Sequence, residues 1–176
     1  FDTVDHANQL GIDVIITDHH QVDEKLPNSF AMINPQKKEC SYPFKGISGA
    51  GVAFKLIMAL RQNLRDSGFF KNNSEPNIKH YLDLLAIPTV CDVVPLVDEN
   101  RYFVKEGLKQ LQHTKRPGLK ALLKVSGVIN QPSSYDLGFR LGPRINACGR
   151  LEDASIGVKL LTTSSTEEAN QLAKLL

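Results

Sequence analysis

The chain has 176 residues, 41% hydrophobic and 23% charged, enough for one packed domain or a domain with an appendage. A formal net charge of only +2 argues against a uniformly basic nucleic-acid coat, so any basic surface has to be local. No apolar run approaches a membrane span, and three scattered cysteines (Cys40, Cys91, Cys148) argue against a zinc ribbon, a C-x-x-C redox site or a disulfide framework.

The first segment, Phe1-Asp-Thr-Val-Asp-His-Ala7, is polar and acidic and does not read as a secretory signal. Val4, Ala7 and Leu10 share a helical face, and Gly11 stops that helix. Residues 12–17 read as a buried strand. Helix, glycine and buried strand form the last part of a βαβ unit, which predicts a partly parallel sheet. A second short strand follows at 30–33, closed by Asn34-Pro35, and residues 36–46 form a loop. Ser48 caps a long helix to about Arg65 with Val52, Leu56, Ala59 and Leu60 facing inward.

Beyond a polar loop at 66–76, a helix starts near Asn77 with Tyr81, Leu82, Leu85 and Ala86 inward, and Pro88 is expected to break or kink it. Residues 100–112 read as a helix, and Pro117-Gly118 opens another through Val125. After a loop at 127–134, the chain is helical from Tyr135, again over 154–161, and over 166–176, where Ser165 and Glu168 suggest a capping box. No strand is expected after about residue 95. The predicted class is α/β: a partly parallel sheet of few strands over residues 1–112, then an all-helical connector over 113–176. The first residue is Phe and the last helix lacks a stop signal, so the sequence is read as an internal piece of a longer protein.

Three constellations carry chemistry. Asp18-His19-His20 falls where the first strand ends, the place where open α/β sheets bind ligands. A carboxylate and two imidazoles there suit a metal-assisted reaction on an anion. Asp92 lies inside the apolar run Ile87-Pro-Thr-Val-Cys-Asp-Val-Val-Pro-Leu96, which predicts a buried, partnered carboxylate. With His19 it offers a mixed N/O set suited to Mn²⁺.

Gly46-Ile-Ser-Gly-Ala-Gly51 is not a P-loop, because Val52-Ala53 stands where Lys-Ser/Thr is required. As a helix start, Ser48 and Gly49 suit either a phosphate or close helix packing, and the residues do not choose between them. Finally, Arg140, Arg144 and Arg150 lie close together with Asn146, and Gly142 and Gly149 allow close backbone approach. Guanidinium forks match phosphate, although composition alone favours a solvated basic face. His6, His80 and His113 share no ligand spacing and read as surface or structural residues. Each cysteine reads as a small core residue.

Together, Val14–His20, Thr89–Leu96 with Asn100-Arg101, and Gly142–Arg150 resemble the DHH phosphoesterase superfamily, and Ile47–Leu56 is similar to the family helix after the triplet. The triplet is specific only to the superfamily. Gly-Pro-Arg-Ile-Asn-Ala resembles its bacterial single-stranded-DNA exonucleases. The resemblance implies that His19 is a metal ligand, His20 lies beside the scissile phosphate, Asp18 orients the pair, and Asp92 is the carboxylate ligand of another family motif. It implies that Arg144, Asn146 and Arg150 lie near the DNA channel. It also implies a two-metal Mn²⁺ or Mg²⁺ centre and 5′-to-3′ hydrolysis of single-stranded DNA in cytoplasmic recombination and repair. Single-stranded DNA would be the main partner, a helicase or single-strand-binding protein further ones, and a membrane none.

The family's acidic first motifs and its DHHA1 and OB-type domains have no counterpart in this sequence, so the chain alone is expected to bind metal weakly and cut little. Pro88 stands where the family has Gly. A nanoRNase or other small-phosphate phosphoesterase would share the triplet but lack the connector. A degenerate replication scaffold would not be expected to keep His19, His20 and Asp92.

Overall fold

In a computed structural model of the chain, residues 1–149 and 154–176 are described. Helix α1 (Asp2–Gln9) ends where Gly11 adopts φ +69°, a left-handed turn that leads into β1 (Ile15–Thr17). Strand β2 (Ala31–Ile33) pairs with it in parallel, in the register Ile15↔Ala31, Ile16↔Met32 and Thr17↔Ile33. Residues 18–30 form a connection of the length that parallel pairing requires. The parallel sheet is as expected, but the burial of β1 is not: Ile12 and Ile15 are both more than half exposed. Branched side chains favour extended backbone, whereas burial needs a covering layer, and the described residues leave these side chains uncovered.

Helix α2 (Gly49–Asp66) starts at Ser48, whose Oγ accepts the Gly51 N–H at 3.2 Å. Its first turns bury Gly51, Val52 and Phe54. Ala59 and Leu60, expected to face inward, are exposed because the second half of the helix runs past the core. A 3₁₀ turn (Ile78–Tyr81), capped by Asn77, enters α3 (Leu82–Cys91). Leu82, Leu85, Ala86 and Ile87 are buried, and Tyr81 is exposed rather than inward. Pro88 does not end α3. Packing on several sides holds the helix, and Thr89 Oγ1 donates to Leu85 O at 2.7 Å beside the hydrogen bond that Pro88 cannot make.

Helix α4 (Asp98–Gln112) packs along α3 more extensively than any other described helix pair. The joint to α5 (Pro117–Val125) is polar and buried: Asp83 accepts from Thr114 Oγ1 at 2.8 Å and pairs with Arg116 Nε at 3.3 Å. A short helix α6 (Ser134–Asp136) runs through a π-helical stretch (Leu137–Leu141) into α7 (Gly142–Cys148). Pro143 explains the widened turn: it has no N–H for the carbonyl four residues back, and its ring would crowd that carbonyl. Helices α8 (Ser155–Thr162) and α9 (Thr166–Lys174) follow, and no strand occurs after β2 among the described residues.

Two apolar clusters organise the chain. One joins Ile47, Val52, Phe54, Ile78, Leu82, Leu85 and Phe103. The other joins Ala86, Ile87 and Leu111 to apolar side chains of α5, the π stretch, α8 and α9. Helices α3 and α4 belong to both.

The last helix has half of its expected box. Ser165 Oγ accepts the Glu168 N–H, but the Glu168 carboxylate goes to Thr163 Oγ1. The full capping box lies at Ser133 and Asp136. Hydrogen bonds from the Ser133 hydroxyl, opposed by burial and helped by the Ser133 N–H and Arg140, hold the Asp136 carboxyl below its ordinary range. The sign follows from a depressed folded value. This stabilisation is complete above the ordinary value near ~4 and is lost as pH falls through the lower folded one. Asp136→Asn is expected to cost about 1 kcal/mol at pH 7 and to erase that acid-range dependence, which urea melts at pH 7 and pH 3 would detect.

Candidate active site

Asp18, His19 and His20 occupy the carboxyl end of β1, where the sequence places them. The ladder continues one residue past the strand, with Asp18 N–H donating to Ile33 O at 3.0 Å. Asp18 Oδ1 then accepts the His19 N–H at 2.7 Å, the His20 N–H at 3.3 Å and the His20 ring at Nδ1, 2.7 Å. Burial acts to raise the Asp18 carboxyl, but the His20 ring and the two backbone N–H groups outweigh it and hold it below the ordinary range. Asp18 is therefore an ionised acceptor, and His20 Nδ1 is the donor. The Nε2 of His20 is left as its outward atom, on a side chain that is mostly exposed.

His19 turns the other way, inward. Its Nε2 lies 3.0 Å from Asp92 Oδ2, across a sequence gap of seventy-three residues (92 − 19). The rings of His19 and His20 have centroids 4.3 Å apart, which sets the Asp18–His20 and His19–Asp92 pairs side by side. Donor atoms of Asp18, His19 and His20 lie within 4.8 Å of one another. This N/O set suits a divalent ion of the Mn²⁺ type. Two-metal centres draw on more carboxylates than these, so the set fits such a centre in part.

Asp92 is partnered, as expected, but not buried: its side chain is 38% exposed. It caps the C-terminus of α3, and the apolar residues after it, Val93, Leu96 and Val97, are themselves exposed. Val93 has φ +55° and is 88% exposed. A β-branched residue in the left-handed region costs on the order of 1–2 kcal/mol, beside a candidate ligand. Val93→Asn is expected to stabilise the fold by about 1 kcal/mol in urea denaturation. Unchanged or lower stability would mean that the loop absorbs this conformation without strain.

Sequence reasoning missed the residues that hold this geometry. The Asn34 side chain is buried; its Nδ2 donates to His20 O at 2.9 Å and its Oδ1 accepts from Gln36 N–H, fixing the turn of the triplet. Thr89 Oγ1 lies 3.2 Å from Ser48 Oγ and ties α3 to the start of α2. Asn100 Nδ2 donates to Gly46 O at 2.7 Å and Pro95 O at 2.9 Å, pinning the loop after Asp92. Asn34 closes the second strand and Asn100 follows the Asp92 segment, but one sequence gives no cue to which polar side chains are buried.

At the glycine-rich helix start, Ser48 is fully buried, its hydroxyl accepting the Gly51 N–H and lying 3.2 Å from Thr89 Oγ1, so it caps α2. A Cβ on Gly49 would lie 3.1 Å from His19 Cδ2, so this glycine lets the imidazole rest on the start of α2. Gly142 has a similar use: a Cβ there would come 2.5 Å from Cys91 Sγ, next to Asp92. Helix α7 thereby starts against the sequence neighbour of a candidate ligand. Arg144 is half-buried and Asn146 exposed on that helix. Arg150 lies outside the described residues. The Cys91 thiol is raised by burial and by Asp92, and that of Cys148 by burial, which leaves both poor nucleophiles.

The model of the DHH family, N-terminal domain, matches residues 1–89. The single-stranded-DNA-specific exonuclease RecJ of Dickeya dadantii (strain 3937) is 49% identical over 174 residues, which is 97% of this chain and 30% of that protein. A crystal structure of exonuclease RecJ bound to manganese matches with a TM-score of 0.82 at 33% identity, covering 99% of this chain and 42% of that one. RecJ in complex with Mn²⁺ from Thermus thermophilus matches with a TM-score of 0.79 at 33% identity, covering 95% and 24%. The chain thus spans about a third of the length of the relatives it matches.

Proposed function

The chain belongs to the DHH family, and on that premise we propose that it carries active-site residues of a divalent-metal-dependent exonuclease that degrades single-stranded DNA from the 5′ end. The observation that carries this reading is the convergence of His19 and Asp92 at the end of β1. His19 and Asp92 would hold Mn²⁺ or Mg²⁺. When bound, such an ion polarises a phosphoryl oxygen and lowers the pKa of water at the scissile phosphate. The other roles belong to the chain itself. Asp18 holds His20 through Nδ1, so Nε2 faces the substrate and donates to a phosphate oxygen when the ring is protonated. Arg144, Asn146 and Arg150 would position the strand by its phosphates.

The residues at 1–112 would form the phosphoesterase part and those at 113–176 the connector. The setting we infer is DNA recombination and repair in a bacterial cytoplasm, with a helicase or single-strand-binding protein as working partner. No helix among the described residues is long and apolar enough to cross a membrane. Because the donors gathered here fit a two-metal centre only in part, the 176-residue chain alone is expected to bind Mn²⁺ weakly and to cut poorly.

The test is Mn²⁺-dependent hydrolysis by the protein at its full natural length. End-labelled long single strands are compared with dinucleotides and pyrophosphate. Release of nucleotides from the 5′ end of long strands is expected. Preference for dinucleotides or pyrophosphate would replace this reading with a small-phosphate phosphoesterase, and no hydrolysis of any substrate would leave a scaffold.

A further inference from the structure

The α6–π–α7 run presents an aromatic pair to solvent. Tyr135 and Phe139 are 60% and 71% exposed, and their rings stack with centroids 4.9 Å apart at 27°. Single exposed apolar residues are ordinary, but a stacked pair with its outer faces in water is a larger apolar surface in one place. Its surroundings are basic. Phe139, Arg140, Pro143 and Arg144 line a shallow depression of about 400 Å³ with Ser126 and Leu176. Arg140 is partly neutralised, pairing with Asp136 at 3.1 Å and donating to Gly127 O. Arg144 has no acidic partner among the described residues.

We propose that Tyr135 and Phe139 form a base-stacking platform for single-stranded nucleic acid, with Arg144 and the exposed edge of Arg140 taking the adjacent phosphates; this rests on the single-strand reading of the preceding subsection. Aromatic faces accept any base, and guanidinium groups match phosphate while stacking on rings themselves. A strand held this way needs no sequence readout, which suits an enzyme that must pass every base. The π turn has a part in the geometry. Tyr135 and Phe139 are four residues apart, on one face of the run that enters it, and Arg144 follows beyond Pro143. Because Gly142 packs on Cys91, the platform is joined to the Asp92 end of α3 without an intervening loop.

The experiment measures anisotropy of a labelled oligothymidylate and of an abasic strand with the same number of phosphates, using the full-length protein with Ca²⁺ in place of Mn²⁺. Replacing both Tyr135→Ala and Phe139→Ala is expected to weaken oligothymidylate binding by about tenfold or more and to leave abasic binding unchanged. Phe139→Trp should keep the affinity, and Phe139→Leu should lose it. Arg144→Ala should weaken both strands alike and reduce the salt dependence by about one counterion.

Equal losses on the two strands, no loss on either, or full affinity with Phe139→Leu would overturn the proposal, the last pointing to an apolar docking surface for protein. Hydrolysis by the unaltered protein is followed alongside. If it degrades the strand while the double variant binds as before, the platform fails and the exonuclease reading stands. If the unaltered protein neither binds nor cuts, both fail.

Discussion

In the protein at its full natural length, and on the proposed function, His19→Ala is expected to lower kcat/KM for single-strand hydrolysis in Mn²⁺ by about a thousandfold or more, roughly 4 kcal/mol of transition-state stabilisation. The side chain links the β1 end to the α3 end, through Asp92 at 3.0 Å. Its loss removes a nitrogen donor and leaves Asp92 without its partner. The fold should tolerate the change, because the ring rests on Gly49 at the start of α2 and lies outside both apolar clusters. Two measurements separate the contributions. Titration calorimetry reports the loss of Mn²⁺ affinity, and a thermal melt reports an unchanged fold. Activity within about tenfold of the unaltered protein would remove His19 from the site. An equal loss of thermal stability would make it a structural residue.

Gly118→Ala is expected to destabilise the fold by about 3 kcal/mol or more. A Cβ at Gly118 would fall on the Leu160 carbonyl oxygen, far inside contact distance, and 2.7 Å from the Leu160 carbonyl carbon. Both obstacles are backbone, so no rotamer change relieves them. Helices α5 and α8 would have to separate, opening the cluster that holds Leu119, Leu122, Leu160 and Ala169, all fully buried. Alanine's better helix propensity, about 1 kcal/mol at most, offsets only part of this. Urea denaturation gives the number. A loss below about 1 kcal/mol would mean that the two helices can part without disturbing what lies between them.

The sequence carried some features plainly and hid others for identifiable reasons. The polar triplet after an apolar run was legible because a strand end is marked by an abrupt change in chemistry, and Ser48 because a helix start requires an acceptor. The exposure of Asp92 was not legible. Its apolar sequence neighbours suggested a buried acid, but Val93, Leu96 and Val97 project from the loop into solvent. Neighbours along the chain are not neighbours in space. The inner face assigned to α2 failed at Ala59 and Leu60 because periodicity identifies a stripe but not how far the core extends along it. Roles for Asn34, Thr89 and Asn100 were invisible because their partners are backbone carbonyls and a hydroxyl brought close only by folding. The π turn before α7 left one trace, Pro143, whose effect on the preceding turn depends on what else packs there.

Helix α3 is shared by both apolar clusters, with Asp92 at its end and Gly142 against Cys91 one residue earlier. The α3 end that bears Asp92 and the start of α7 are therefore mounted on a common spar. A displacement of α7 is therefore felt at Asp92 through the close contact of Gly142 with Cys91, with no loop between to absorb it.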